Sequence, residues 1–222
     1  MVDKVMEKTA PPAGSRAEGA RKGERTRARI LDAAYDAIVH KGFAATSIDE
    51  LVEAAGITKS GFFYHFKDKN DLARQLLERF LAEDGEILAT LERRARALSD
   101  DPLRSFLVFL DLYAEVMDEM PALHPGCLVA AITYQDQMFD AAVRAMNLDG
   151  LLSLRRRFTD WLSEIAARHP PRPPLDVEAL ADNLTVTVEG AIILSRVLGD
   201  RALLGRQTRL FRDHVKRAFA AA

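Results

Sequence analysis

The sequence predicts an all-α protein, for three reasons. Its nine prolines are clustered, so that stretches without proline run from 13 to 101, 126 to 169 and 175 to 222, and these are too long and too poor in turn signals for a β-protein. Apolar residues recur in those stretches at helical spacings of three and four. Hydrophobic residues make up 48% and charged residues 29% of the 222 positions, which are ordinary values for a folded globular chain.

The chain lacks the sequence marks of secretion and of membrane insertion. Its one cysteine, Cys127, cannot form an internal disulfide, and the first 25 residues contain no apolar core of a signal peptide. The most apolar stretch, 184–198, carries Glu189 and Arg196, so no segment approaches the roughly 18 apolar residues that span a bilayer. We therefore expect a cytoplasmic protein with no membrane partner.

The N-terminal end combines a polar arm with a first helix. Residues 1–23 mix Pro, Gly, Ala, Lys and Glu with few larger apolar groups, which predicts a disordered arm. From Thr26 the apolar positions follow helical spacing as far as Gly42, which predicts a helix over 26–41 that ends at the glycine. Basic residues crowd around this junction: Arg16, Arg21, Lys22, Arg25, Arg27 and Arg29.

Two short helices with a tight glycine turn between them come next. The run S-I-D-E at 47–50 is a capping box and begins a helix over 48–55. Gly56 ends that helix, and Thr58 caps a new one over 59–66. This is the arrangement of the helix-turn-helix DNA-binding unit, but many other helical proteins contain it too.

The middle of the chain predicts long helices that are mostly buried. Asp68 caps one of them, and the helix over 103–120 is apolar on almost its whole circumference. Two more helices, over 127–146 and 151–168, precede a proline-rich connector at 169–174.

The C-terminal region predicts two further helices despite a strand-like run. The run T-V-T-V at 185–188 favours a strand, yet polar residues recur around it at spacings of three, four and seven, which define one stripe of a helix. We therefore predict helices over 176–199 and 201–219.

The start of the helix over 59–66 carries groups suited to DNA. The run T-K-S-G at 58–61 places hydroxyls, a cation and a position without a side chain at the end that enters the major groove in helix-turn-helix docking. Lys59, Ser60 and Gly61 are the positions that we expect to read base edges. The arginines at the start of the first helix are candidates for sequence-independent phosphate contacts, although an exposed surface also tolerates them.

The chain resembles the TetR family of transcriptional regulators over residues 44–72, which read A-A-T-S-I-D-E-L-V-E-A-A-G-I-T-K-S-G-F-F-Y-H-F-K-D-K-N-D-L. The resemblance is strong over 26–72. It implies an N-terminal three-helix DNA-binding domain with a helix-turn-helix at 24–70, followed by a larger helical effector-binding and dimerisation domain at 71–222. It also implies a homodimer formed through the last two helices.

The resemblance assigns individual DNA contacts as well. It implies that Gly56 is the turn, that 58–65 is the reading helix, and that Thr46 and Lys69 are phosphate anchors. The family often has tyrosine where this chain has Phe63, so a hydroxyl contact to phosphate is not expected there. The candidate DNA-binding residues are Arg27, Thr46, Thr58, Lys59, Ser60, Gly61, Tyr64, His65 and Lys69.

Three aromatic residues lie close together on the reading helix. Phe62, Phe63 and Phe66 cannot all face solvent, and we expect Phe62 and Phe66 to pack in the core. The resemblance implies that Phe66 locks the reading helix into the three-helix core. The environment of Phe63 stays open.

An effector pocket is predicted in the C-terminal part, because the helix over 103–120 is too apolar for packing in two layers alone. The candidate lining residues are Phe106, Phe109, Tyr113, His124, Cys127, Tyr134, Met138 and Trp161. Such a lining suits an uncharged or weakly polar small molecule, aromatic ones included. The alternative is a solid core without a pocket.

Cys127 admits three interpretations. A lone cysteine is usually a small buried apolar residue. At a helix N-terminus the thiol pKa can fall, which would allow Cys127 to sense electrophiles or oxidants. It can also contact a ligand in the pocket.

The sequence contains no recognisable enzyme site. It shows no nucleophile with its base, no metal-ligand spacing and no glycine-rich phosphate loop, and its five histidines are dispersed. We therefore expect no catalysis, no cofactor and no metal. The expected function is a ligand-responsive regulator, a repressor that a small molecule releases from a palindromic double-stranded DNA operator. The alternative is a helical small-molecule-binding or adaptor protein without DNA activity.

Overall fold

Helices make up all the regular secondary structure of residues 13–171 and 173–219, the part of the chain that a computed structural model describes. The elements are α1 Ala13–Lys41, α2 Ile48–Ala54, α3 Lys59–His65, α4 Lys69–Leu98, α5 Pro102–Asp118, α6 Leu128–Thr133, a 3₁₀ turn Asp136–Met138, α7 Ala141–Arg168, α8 Val177–Leu198 and α9 Leu203–Ala218. The predicted all-α fold is confirmed.

Helices α1–α3 and the first half of α4 pack around one apolar core, and we call this unit the head. Its centre contains Ile30 and Leu31 of α1, Leu51 of α2, Phe62 of α3 and Leu72 of α4, each at most 1% exposed. Because Phe62 faces this core, the opposite side of α3 faces solvent.

Helix α1 is longer than the sequence predicts. It begins at Ala13, so the disordered arm expected over 1–23 is wrong for residues 13–23, whereas residues 1–12 lie outside the described chain. Alanine, arginine, glutamate and lysine, which favour helix, extend α1 before Thr26. Arg25 and Arg27 therefore lie within the helix and not in its first turn, where the helix dipole would oppose them.

Glycines and side-chain caps fix the two turns of the head. Gly42 and Gly56 have φ angles of 84° and 60°, in the left-handed region that favours glycine. Ser47 Oγ accepts a hydrogen bond from the Glu50 amide at the start of α2. Thr58 Oγ1 accepts one from the Gly61 amide at the start of α3. Both predicted N-caps are confirmed.

A second core lies among α4, α5, α7, α8 and α9. Its aromatic centre is formed by Phe106 and Phe109 of α5 with Phe158 and Trp161 of α7, and ring centroids are 5.1 Å apart between Phe106 and Trp161. Helix α4 belongs to both cores, because Leu76 lies in the head and the later part of the same helix lies in the second core. Any change in the tilt of α4 therefore moves the head.

The region between α5 and the proline-rich connector differs from the prediction. The helices expected over 127–146 and 151–168 are wrong: the break falls at 134–140, and α7 runs through Gly150 without a break. Asp140 caps α7 by accepting a hydrogen bond from Val143 N. Gly150 marks a close approach to α4, because a Cβ there would lie 2.7 Å from a methyl carbon of Leu81.

The strand-like run in the C-terminal region is helical, as predicted, and lies within α8. Helices α8 and α9 bury one face in the second core and leave another face open. The open face of α8 carries an apolar stripe, which we define as Val186, Ile193, Leu194 and Val197, all of them exposed. Leu210 of α9 is also exposed. Such a contiguous apolar face is typical of a protein interface.

Candidate functional site

One side of α3 is exposed and forms a reading face, which we define as Thr58, Lys59, Ser60, Phe63 and Tyr64. Spacings of three and four bring Lys59, Ser60, Phe63 and Tyr64 to the same side of the helix, and Thr58 is the N-cap just before them. Phe63 is 49% exposed and Tyr64 is 83% exposed. The reading face is therefore a mixed polar and aromatic surface.

The packing of the aromatic residues on α3 follows the prediction in part and adds to it. Phe62 and Phe66 are buried at 0% and 1% exposure. Phe63 packs edge-on against Phe62 with ring centroids 5.4 Å apart, which leaves about half of its side chain on the reading face. The sequence prediction did not place Phe63 among the DNA-binding residues, although its helical spacing from Ser60 could have indicated it.

Hydroxyl and ammonium groups are close together at the start of α3. The Thr58 and Ser60 hydroxyls are 3.0 Å apart, and the Thr58 hydroxyl also caps the helix. Lys59 Nζ lies 2.9 Å from an Asp49 carboxylate oxygen, and both side chains are well exposed. An exposed salt bridge of this kind contributes little free energy, so Lys59 can break its contact with Asp49 and contact a base edge at a small cost in free energy.

The structure places the two expected phosphate anchors in structural roles. Thr46 is 1% exposed and its hydroxyl donates to the Gly42 carbonyl, so the predicted phosphate contact of Thr46 is wrong because a turn of the head uses the hydroxyl. Lys69 is half-buried, with Nζ donating to the Phe43 carbonyl and lying 4.1 Å from the centre of the Phe43 ring. Burial and the charge of Lys41 lower the pKa of Lys69.

Basic side chains of α1 lie beside the reading face. Arg27 is exposed and its Nε donates to the Gln75 side chain at 2.8 Å. Burial, and then the charge of Arg27, lower the pKa of His65, so His65 is neutral at pH 7 and acts as a hydrogen-bonding group there. Further exposed cations follow along the same helix at Arg21, Lys22, Arg25 and Arg29.

A cavity of about 310 Å³ lies between α4, α5, α6, α7 and α8. Most of its wall is apolar, including Phe80, Leu88, Phe109, Leu154, Phe158, Val188 and Ile192. Its size falls within the range of small-molecule sites.

Five of the eight predicted lining residues face the cavity: Phe109, Tyr113, His124, Cys127 and Tyr134. The prediction is wrong for the other three, which do not line it. Phe106 and Trp161 pack inside the aromatic centre of the second core. Met138 is exposed in the 3₁₀ turn.

The sequence prediction missed the carboxylates of the cavity wall. Asp84 of α4 and Glu189 of α8 both line the cavity, as do the side chains of Thr133 and Thr185. Glu189 could have been found, because it is a lone acidic residue in the most apolar stretch of the chain. Asp84 lies in a helix rich in charges, where nothing distinguishes it from its neighbours.

Burial controls the titration of the cavity's other polar groups. Burial and the nearby Glu189 carboxylate raise the pKa of the Cys127 thiol to about 12. Although Cys127 precedes α6, burial outweighs the helix terminus, so the thiol stays protonated and the sensor interpretation loses its basis. Burial and the charge of Arg196 lower the pKa of His124.

Helix α6 connects the cavity to the head. Val129, Ala130 and Thr133 line the cavity, while Leu128 and Ile132 on the opposite side belong to the head core. Because α6 has only six residues and contacts both the cavity and the head core, a shift of α6 at the cavity also disturbs its packing in the head core.

The segment after α6 is bound directly to the turn of the head that precedes α2. The Gln135 side chain accepts a hydrogen bond from the Ala44 amide at 3.0 Å. The rings of Phe43 and Phe139 lie 4.3 Å apart. The Asp140 amide at the start of α7 donates to the Asn70 side chain.

Neither a candidate metal site nor a membrane-spanning helix is present in residues 13–171 and 173–219. No group of three metal-ligating side chains lies close together in this part of the chain. None of its helices has the length and apolar character needed to cross a membrane.

Comparisons with known proteins agree with this architecture. Residues 30–76 match the model of the tetR family of bacterial regulatory proteins. The transcriptional regulator AcuR of Cereibacter sphaeroides is 26% identical over 189 residues, which cover 84% of this chain and 83% of that protein. The HTH-type transcriptional regulator AcrR of Shigella flexneri is 37% identical over 82 residues, or 37% of each chain.

Solved structures share the fold over most of the chain. A TetR-family transcriptional regulator from Agrobacterium tumefaciens superposes with a TM-score of 0.74 at 24% identity, covering 89% of this chain and all of that one. A TetR transcriptional regulator from Chloroflexus aurantiacus has the same TM-score and identity and covers 91% of this chain.

Proposed function

Since this chain belongs, by its DNA-binding domain and its fold, to the TetR family of transcriptional regulators, we propose that it is a ligand-responsive repressor. It acts in the cytoplasm as a homodimer that binds a palindromic operator and leaves it when a small molecule fills the cavity. The DNA-binding domain spans 24–70 and the effector-binding and dimerisation domain spans 71–222.

The observation that carries this proposal is the double placement of α6. The helix lines the cavity with one side and completes the head core with the other. A ligand that changes the position of α6 must therefore change the position of the head. When DNA holds the head in place, the same ligand binds more weakly than it does to the free protein.

Dimerisation explains how a small shift controls DNA binding. Each chain supplies one reading face, and two faces reach successive major grooves only if they are roughly 34 to 36 Å apart. The apolar stripe of α8 and the exposed Leu210 of α9 supply a face for a two-fold contact with a second copy. A ligand that favours another spacing lowers the affinity for the operator.

The test is selection of duplexes from a random pool with the purified protein, followed by titration of the selected duplex and a scrambled one at fixed salt. We expect a palindrome that binds at least about 1,000-fold more tightly than the scrambled duplex, the lower end of the range for specific regulators. Equal affinity for both duplexes contradicts the proposal and leaves a helical ligand-binding or adaptor protein.

The chain offers a matched pair of variants for this titration. Tyr64→Ala removes an exposed side chain of the reading face, whereas Leu98→Ala removes an exposed side chain at the far end of α4, away from the cavity lining. Only Tyr64→Ala should weaken binding to the selected duplex.

A further inference from the structure

The cavity holds two carboxylates, and this feature restricts the ligand that it can accept. Asp84 faces it from α4 and Glu189 from α8, so acidic groups come from two different helices. Burial raises the pKa of the Tyr113 phenol, and the negative charges of Asp84 and Glu189 raise it further. The cavity is therefore acidic within an apolar wall.

No lysine or arginine of the described residues lines the cavity to neutralise these groups. His124 is the one basic side chain on the described wall, and burial lowers its pKa, so it is neutral at pH 7. The cavity lacks an internal counter-charge.

Asp84 is the more exceptional of the two carboxylates. It makes no hydrogen bond or salt bridge to any residue within 13–171 and 173–219, and burial raises its pKa. The Arg157 guanidinium acts on Asp84 only from beyond salt-bridge distance, since its Nη1 lies 3.2 Å from Glu92 instead. A half-buried carboxylate without a donor is costly, and a bound cation would supply the partner that it lacks.

The Tyr113 hydroxyl is also without a hydrogen-bond partner in the described chain, and it lines the cavity. Its ring stacks on Phe109, with centroids 6.3 Å apart. Phe80 and Phe158 add further aromatic surface to the wall. Aromatic faces attract cations that have been removed from water.

We propose that the cavity takes a lipophilic organic cation, an amine or a quaternary ammonium compound with an apolar body, whose positive charge lies between Asp84 and Glu189. An anion would meet two like charges, and a neutral ligand would exclude water from Asp84 without giving it a partner. The inference rests on the proposed function in taking this cavity as the effector site. It replaces the uncharged ligand that the sequence predicted.

The test compares two probes of the same shape. Benzyltrimethylammonium carries a permanent positive charge, and neopentylbenzene has carbon in place of the nitrogen. Isothermal titration of the full chain should show at least about tenfold tighter binding of the cation, the ratio expected for a favourable desolvated charge contact. Equal binding of the two probes, tighter binding of neopentylbenzene, or no binding of the cation at millimolar concentration overturns the inference.

Isosteric variants separate the role of charge from that of shape. Asp84→Asn and Glu189→Gln should each weaken binding of the cation about fivefold or more and leave neopentylbenzene within about twofold. Glu83→Gln is the matched control, because Glu83 is exposed next to Asp84 on the same helix and should leave both affinities unchanged. Loss of affinity for both probes in the two cavity variants points to a structural role and contradicts the inference.

Titration of the selected duplex distinguishes this inference from the proposed function. If the cation binds in a carboxylate-dependent manner but leaves DNA affinity unchanged, the release mechanism fails and the ligand class stands. If a neutral compound fills the cavity and releases DNA while the cation does not bind, the ligand class fails and the release mechanism stands.

Discussion

At the scale of single residues, the head separates side chains that are free to contact DNA from side chains that hold the head together. Lys59 is exposed and forms a salt bridge with the Asp49 carboxylate. Lys69 and Thr46 donate to backbone carbonyls of the turn before α2. Residue type alone could not separate these groups, because a lysine or a threonine suits either role.

Lys59→Ala should remove a contact to base edges. The expected loss is about 1 to 3 kcal/mol on the selected duplex, with little change on a scrambled one. Fluorescence anisotropy titrations of both duplexes measure the difference. Lys216→Ala, an exposed lysine near the end of α9, is the control, and an equal loss on both duplexes would show that Lys59 contacts phosphate only.

Lys69→Ala should act through the stability of the head. Loss of its hydrogen bond to Phe43 should lower the free energy of unfolding by about 1 kcal/mol. Binding should weaken on all sequences, while the slope of log K against log salt stays unchanged. A slope reduced by about 1 would show instead that the ammonium group binds a phosphate, as the family resemblance implies.

At the scale of helices, the sequence predicted most elements correctly and failed where local signals compete with tertiary contacts. The capping residues Ser47 and Thr58 act through their immediate neighbours, so the helix-turn-helix could be predicted from the sequence. Gly150 resembles a helix end, yet it lies within α7, at a close approach to Leu81 of α4. Asp84 could not be predicted as a cavity residue, because only the approach of four other helices encloses it.

Gln135→Ala should weaken the connection between the cavity and the head. The variant loses the hydrogen bond from the Ala44 amide, which should cost about 1 kcal/mol of stability. A cavity ligand should then change operator affinity less than in the wild type. Gln137→Ala, at an exposed position of the 3₁₀ turn that follows Gln135, should leave stability and ligand response unchanged, and an equal effect of both variants would refute the role of Gln135.

At the scale of the whole molecule, α4 and α6 connect two cores that serve different purposes. The head presents the reading face, and the second core encloses the cavity beside α8 and α9, which carry the exposed apolar residues. In the proposed homodimer, binding energy at the cavity would therefore change the spacing of two heads across a two-fold axis.

Val197→Asp should disrupt the dimer, because Val197 is 76% exposed at the C-terminal end of the α8 stripe and a charge there would be buried without a partner in the interface. Light scattering after size exclusion should show a monomer, and affinity for the palindrome should fall to that for a single half-site. Leu98→Asp places the same charge at the exposed end of α4 and should leave the dimer intact. A dimeric Val197→Asp protein would place the interface elsewhere.

Occupancy of the cavity should lower operator affinity, and this effect is measured by the ratio of operator dissociation constants with and without saturating ligand. The ligand is a compound that raises the melting temperature of the wild type but not of Thr185→Phe, in which a ring fills the cavity. Since α6 is shared between the cavity and the head, we expect at least about a tenfold increase in the dissociation constant, within the usual range of allosteric coupling. An unchanged dissociation constant at full occupancy would contradict it.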